Sequence, residues 1–261
     1  MFRQLLSTFG IGSAKIDTIL ERNIYYPGEE IRGQINIIGK EIKQEVKGIY
    51  INIITYYIRK GKNQIHHVST TLASYKLGQP FFIEPNQNYS FPFAVTLPLD
   101  TPIVNWPVGL QTKIDIAGTV FDLKDADPLQ IAPLPVEKAI LDNFQSLGFG
   151  LESCECRYSI KPKDRHSFRQ KFVFNPLNSK YQGILHSVIV NFHPHSPTKV
   201  EVKIEVNKVF GLLDILNQIA GLLTTTTKIL ITQEHLQQPY ENLVIGLDKL
   251  LNDLVQQINS K

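Results

Sequence analysis

The sequence has few cysteines and little net charge, and both shortages narrow the range of functions. Only Cys154 and Cys156 occur in 261 residues, so we expect neither a disulfide framework nor a zinc site built from two cysteine clusters. On one strand the two thiols would share a face; two small strand residues is the simpler interpretation, and a metal or redox pair is the alternative. A net charge of +3, with Lys and Arg dispersed among Asp and Glu, argues against a nucleic-acid partner.

Short catalytic motifs and long apolar runs are also missing. The sequence has no Gly-x-Ser-x-Gly elbow, no phosphate-binding Gly-Lys-Ser/Thr loop, no dinucleotide fingerprint and no His-Glu-x-x-His. No secretory signal is present in the first nine residues, and no run is long enough and free enough of polar residues to cross a bilayer. We therefore expect a cytoplasmic protein that is not an enzyme and needs no cofactor.

Strand signals fill most of the chain. Short β-branched and aromatic runs alternate with Gly, Pro, Asn and Asp, and the longest run, Val46–Ile58, predicts a central strand. Pro at its margins places the run Tyr89–Pro98 near a sheet edge, and pairing of a partner strand along Phe91–Leu97 is one plausible mode of binding. Strands at this spacing without intervening helices favour β-sandwiches.

A proline-rich stretch divides the chain. Within Asp125–Glu137, the residues Pro128, Pro133 and Pro135 lack backbone donors, so the stretch predicts an extended connector rather than a strand. The predicted organisation is a sandwich over residues 1–131, a linker over 132–138, a second sandwich over 139–233, a helix inserted at 208–223 and a C-terminal amphipathic helix at 239–259.

The C-terminal helix carries one apolar stripe at three-to-four spacing. Its members are Leu243, Leu247, Leu250, Leu254 and Ile258. Such a stripe either packs on its own domain or binds a partner, including a second copy of the chain. At the other end of the chain Phe2, Leu5, Leu6 and Phe9 have helical spacing; docking on the body is favoured over membrane association, because one Arg gives little electrostatic attraction.

Two polar groups are candidates for sites. His186, His193 and His195 are a possible metal-binding set, although exposed turn histidines are the simpler interpretation. The acidic residues Asp122, Asp125 and Asp127 do not complete a calcium loop. They predict a turn, or a polar contact between the two domains in which the arginine partners are Arg32 and Arg169.

Several blocks resemble one known family. Gly10–Glu21 and Tyr26–Ile37 are similar to the start of bacterial sporulation-control proteins of the SpoOM type. The similarity continues, in order, through Leu110–Ile116, Asp125–Asp127, Leu147–Phe149, Phe172–Pro176, Tyr181–Gly183 and Val202–Val206.

The resemblance implies an arrestin-like fold of two immunoglobulin-type sandwiches. It also implies a non-enzymatic cytoplasmic regulator or adaptor that acts through protein partners, whose identity the sequence does not give. The chain departs from the family at Val206–Phe210, where a charged, glycine-rich segment is expected.

Overall fold

The structure, a computed structural model, describes residues 14–118, 123–159, 165–209 and 224–259. It divides into two compact units, Met1–Ala132 and Pro133–Lys261. Strands dominate both units, which confirms the mainly β prediction. The N-terminal segment with Phe2, Leu5, Leu6 and Phe9, the residue Asp122 and the predicted helix from residue 210 onward lie outside the described residues.

The described part of the first unit contains nine strands. They are β1 (Lys15–Leu20), β2 (Ile24–Tyr25), β3 (Glu30–Ile38), β4 (Gln44–Lys60), β5 (Ile65–Leu77), β6 (Phe81–Ile83), β7 (Asn88–Thr96), β8 (Val108–Ile116) and β9 (Leu123–Ile131). One sheet has the order β1-β3-β7. In the other, β4 pairs with β5 and β6 on one side and with β8 on the other, and β9 and β2 follow β8. The pairings described in this unit are antiparallel except that of β2 with β9.

Alternation along the strands builds the core between these two sheets. Ile31, Ile35 and Ile37 of β3 point inward and are fully buried, and so are Ile51 and Ile53 of β4. Each such side chain stabilises the fold by about 1.5–3 kcal/mol relative to an exposed position. The outward positions of β3 are exposed or half-buried, as a two-layer sandwich requires.

The predicted connector is wrong over much of its length. Residues 123–131 form β9, which pairs with β8 along its length and with β2 at Gln130 and Ile131. Gln130 N donates to Asn23 O at 3.0 Å, so even-numbered amides of β9 point toward the β2 side. The donor that Pro128 lacks would therefore have pointed away from β8, at a position beyond the end of the short β2. The β8–β9 ladder loses no hydrogen bond. The predicted linker 132–138 is also too long, because a helix begins at Pro135.

The second unit contains five strands and three helices in the described part of the chain. The strands β10 (Gly150–Tyr158), β11 (Phe168–Asn175), β12 (Leu185–Ser196), β13 (Lys199–Lys208) and β14 (Thr224–Thr232) form an antiparallel meander. The helices are α1 (Pro135–Ser146), α2 (Gln233–Leu236) and α3 (Tyr240–Asn259).

Helix α1 begins and ends where its sequence dictates. Pro135 occupies the first helical position, where the missing N–H is harmless, and the Glu137 side chain accepts a hydrogen bond of 2.9 Å from Leu134 N. At the other end Gly148 has φ of 83°, and a Cβ there would lie 2.4 Å from Asn178 O. Phe144 of α1 packs on the sheet, with its ring centroid 4.7 Å from that of Phe174.

Helix α3 packs within its own unit, against α1 and strands β13 and β14. Leu247, Leu251, Leu254 and Ile258 are buried. The stripe predicted from sequence included Leu250, which is half-buried, whereas its neighbour Leu251 is fully buried. A polar clamp also holds the helix: Lys180 Nζ lies 2.6 Å from Asp248 Oδ2, and Tyr181 OH donates within 2.9 Å of Asp248 oxygens.

No helix within the described ranges combines the length and the apolar character needed to cross a membrane.

Candidate partner-binding edge of the first unit

Within the described parts of the chain, strand β7 lies at the end of the three-stranded sheet and has a neighbouring strand, β3, on one side only. Two flanking hydrogen bonds establish which amides it uses: Leu97 N donates to Glu29 O, and Gly39 N donates to Gln87 O, each at 2.8 Å. Odd-numbered residues of β7 therefore exchange hydrogen bonds with β3. The amides of Ser90 and Ala94 point the other way, toward the outer edge, so an added strand would find donors and acceptors there.

Pro92 and Thr96 limit this outer edge. Pro92 faces outward in the same alternation, so the missing donor falls on the unpaired side and leaves the β3 ladder intact. Near the end of the strand, Thr96 O already accepts a hydrogen bond from the Tyr75 hydroxyl. The open edge thus runs from Asn88 to Ala94.

An aromatic cluster borders the open edge, and it consists of Phe81 of β6 with Tyr89 and Phe91 of β7. The ring centroid of Phe81 lies 5.6 Å from that of Tyr89 and 5.1 Å from that of Phe91. All three rings are half-buried. Next to them Phe82 is 50% exposed, and Lys43 Nζ lies 4.6 Å from its ring centroid.

Backbone and rings together suit an extended peptide. A strand added to β7 would direct every second side chain inward, toward Phe81, Tyr89 and Phe91, and the others outward. Main-chain hydrogen bonds then supply affinity, and the aromatic cluster supplies a preference for apolar or aromatic side chains. We call the backbone of Asn88–Ala94 and these three rings the β7 edge.

The two described acidic residues of the predicted inter-domain contact lie in the first unit. Thr18 N donates to Asp125 Oδ2 at 2.7 Å, and the Thr18 hydroxyl donates to that of Thr112 at 2.7 Å, which ties β1 to the opposite sheet. Burial, and then the charges of Asp125 and Asp17, raise the pKa of Asp127 to about 6. Asp125 therefore stabilises the seam between β1 and the opposite sheet, whereas the charged form of Asp127 is disfavoured there.

The two arginines of that prediction have partners within their own units. Arg32 Nε lies 2.6 Å from Glu30 Oε1 on the exposed face of β3. Arg169 Nη1 lies 3.2 Å from His193 Nε2 in the second unit. The geometry does not bring Arg32 into an ion pair with Asp125, and a contact between domains stays a prediction.

The three histidines proposed for a metal do not assemble. His186 and His193 lie on the same strand, β12, seven residues apart, which corresponds to about 23 Å. Within the described residues no group of three or more His, Cys, Asp and Glu side chains is arranged to hold a metal ion.

The two cysteines have properties of buried structural thiols. Burial raises the pKa of Cys154 to about 12, and burial together with Cys154 raises the pKa of Cys156 above its usual value. A thiol that stays protonated is a poor nucleophile and a poor metal ligand. The arrangement therefore supports the simpler interpretation of the Cys-x-Cys pair.

The C-terminal stripe is mostly used inside the second unit. Leu247, Leu254 and Ile258 are buried, whereas Leu243 and Leu250 are half-buried. A partner or second copy would reach mainly these last two and Ile245, which is 64% exposed. Binding of a partner or a second copy by this helix stays a prediction.

Sequence reasoning found the Phe91–Leu97 edge but missed Phe81 and Tyr89. The pair Phe81-Phe82 directly after Pro80 was the available signal, because adjacent aromatics on a short strand place one ring on each face. The proximity of Phe81 to β7 depends on how two sheets pack, which local patterns do not encode.

Comparison with known proteins identifies the family. The model of the family described as SpoOM protein matches residues 2–210. The chain belongs to the SpoOM protein family. The sporulation-control protein spo0M of Bacillus subtilis (strain 168) is 34% identical over 186 residues, which are 70% of this chain and 72% of that relative.

A solved structure of the same family supports the fold. The crystal structure of Spo0M, a sporulation-control protein from Bacillus subtilis, matches with a TM-score of 0.80 at 28% identity. The match covers 95% of this chain and 100% of that one. The SpoOM resemblance and the β-sandwich fold class predicted from sequence are thereby confirmed.

Proposed function

We propose that this SpoOM-family chain is a non-enzymatic cytoplasmic regulator that works as an adaptor and captures an extended segment of a protein partner along the β7 edge. Its relatives are named for control of sporulation, which is a regulatory role. The proposal rests on one observation: β7 presents outward amides at Ser90 and Ala94 beside three half-buried aromatic rings.

The remaining chemistry of the described residues is consistent with an adaptor. The Cys154 thiol is held protonated at neutral pH, the histidines are spread along β12, and Asp125 connects Thr18 of β1 to the opposite sheet. These groups have structural surroundings rather than the mutual geometry of a nucleophile and its base. Regulation by binding therefore explains the arrangement better than catalysis.

A single proline substitution on the outer edge tests the proposal. Linear nonapeptides displayed on phage are selected against the full chain, and one selected peptide is titrated by fluorescence anisotropy. Ala94→Pro removes an outward N–H without touching the β3 ladder, and Pro92 already shows that β7 tolerates proline on this side. We expect at least a fivefold loss of affinity, since one hydrogen bond contributes about 1 kcal/mol.

Ala94→Ser is the matched control, because it changes the same exposed side chain and keeps the amide. It should bind the peptide as the unmodified chain does. Circular dichroism and thermal unfolding establish that both variants are folded. Equal affinity for folded Ala94→Pro and Ala94→Ser would contradict binding along the β7 edge.

A further inference from the structure

Among the residues that the structure describes, a second open edge lies in the other unit, at strand β14, which has β13 on one side. The hydrogen bond from Gln233 N to Thr198 O, 2.9 Å long, shows that odd-numbered amides of β14 point toward β13. The amides of Thr226, Lys228 and Leu230 consequently point to the outer edge. Thr232 N is already bound, because it donates to His235 Nδ1 at 3.1 Å.

A polar groove adjoins this edge. Its volume is about 440 Å³, and its lining residues are His195, Lys199, Glu201, Lys228, Ile229 and Leu230. The groove is on the sheet face that carries the even-numbered side chains of β14, where Leu230 is 47% exposed. A strand added to β14 would therefore place alternate side chains beside the groove.

The charges of the groove favour an acidic occupant. Glu201, the one acidic lining residue, is neutralised by Lys228, whose Nζ lies 2.6 Å from Glu201 Oε1. That ion pair is the main reason why the pKa of Glu201 is lowered. Across the described residues, no carboxylate lies within ion-pair distance of the Lys199 amine. The groove thus offers an uncompensated cation next to a ladder of main-chain donors and acceptors.

We infer that β14 and this groove bind an extended acidic segment of a protein partner. The segment pairs with the outer amides of β14, and the carboxylates on its groove-facing side pass over Leu230 and approach Lys199. A second copy of the chain fits less well, because antiparallel self-pairing centred on β14 sets Lys228 opposite Lys228. This inference does not depend on the β7 edge.

The probe is a fluorescein-labelled peptide of sequence Thr-Glu-Thr-Glu-Val-Glu-Thr-Glu-Thr, titrated by anisotropy against the full chain. Its partner probe has Gln at each Glu position. We expect the acidic peptide to bind more tightly, and Lys199→Glu to weaken it about tenfold because an attraction becomes a repulsion. Lys249→Glu changes the net charge equally at an exposed position of α3 and should leave the affinity unchanged within about twofold.

A second pair of variants tests the strand pairing itself. Leu230→Pro removes an outward amide and should weaken the acidic peptide at least about fivefold, whereas Leu230→Ala keeps the amide and should weaken it less. Ala94→Pro on β7 should have no effect, which separates this edge from the other one.

Three results would overturn the inference. The first is equal affinity for the Glu and Gln peptides, and the second is equal affinity of the folded Lys199→Glu and Lys249→Glu variants for the acidic peptide. The third is that light scattering shows a dimer without peptide and that Leu230→Pro dissociates this dimer. The last result would assign the edge to a second copy of the chain.

Discussion

Glu137 provides the sharpest quantitative test of the second unit. Its side chain is 3% exposed on α1, and burial raises its pKa to about 7, although the hydrogen bond from Leu134 N opposes the shift. The native state therefore binds a proton more tightly than the unfolded chain, for which the ordinary pKa of 4.5 applies. The contribution of Glu137 to stability therefore falls as the pH rises from about 4.5 to about 7, and stays level above that.

Replacement of Glu137 by Gln removes this titration and keeps the cap. The amide oxygen of Gln can accept the same hydrogen bond from Leu134 N, so the start of α1 is preserved. A shift from 4.5 to about 7 corresponds to roughly 3 kcal/mol as an upper limit. We expect Glu137→Gln to be more stable than the unmodified chain by up to that amount at pH 8, and to match it at pH 4.

Urea unfolding at a series of pH values from 4 to 8 measures this difference. Intrinsic fluorescence and circular dichroism follow the transition, since two units can unfold separately. Glu152→Gln is the control, because Glu152 is exposed on β10 of the same unit. A stability difference for Glu137→Gln that is the same at pH 4 and pH 8 would refute the argument from burial.

Three further outcomes follow from buried groups. Asp127→Asn should leave the free energy of unfolding, measured in urea, unchanged at pH 4 and raise it by about 1 kcal/mol at pH 7, because burial raises the native pKa of Asp127 to about 6. The gain is small because solvent partly screens this half-buried carboxyl. Asn143→Leu should raise the urea midpoint, because both polar side-chain atoms are buried without a hydrogen-bond partner in the described structure, which costs about 1–3 kcal/mol; a lower midpoint would disprove this. A chain that ends at Gln233 loses Leu251 and three other buried side chains of α3, so the free energy of unfolding of the second unit should fall by several kcal/mol. Light scattering on the full and the shortened chain reports whether α3 also mediates a dimer.

Much of the fold could be predicted from local patterns. Val46–Ile58 lies within the long central strand β4, and the run Tyr89–Pro98 contains most of β7 at the end of its sheet. Pro128 was misleading, because the proline rule considers the missing donor but not the side on which that donor would have pointed. Only the register of β9 between β8 and β2 reveals that this side needs no hydrogen bond.

Non-local contacts limited the prediction of the sites. Asp125 was identified as a polar contact residue, but its partner, the Thr18 amide, is 107 residues away. Helical spacing admits either Leu250 or Leu251 to the stripe of α3, and packing against β13 and β14 decides for Leu251. Phe81 and Tyr89 meet because two sheets pack face to face, which no sequence period records.

Hydrogen exchange at single amides tests the central claim most directly. The full chain is measured by NMR with and without a nonapeptide selected on it, and the amides of Ser90 and Ala94 are compared with that of Phe93, which faces β3. Binding along the β7 edge predicts that exchange slows at Ser90 and Ala94 when the peptide is bound, while Phe93 is protected in both states. Unchanged exchange at Ser90 and Ala94 in the saturated complex would contradict the proposed function.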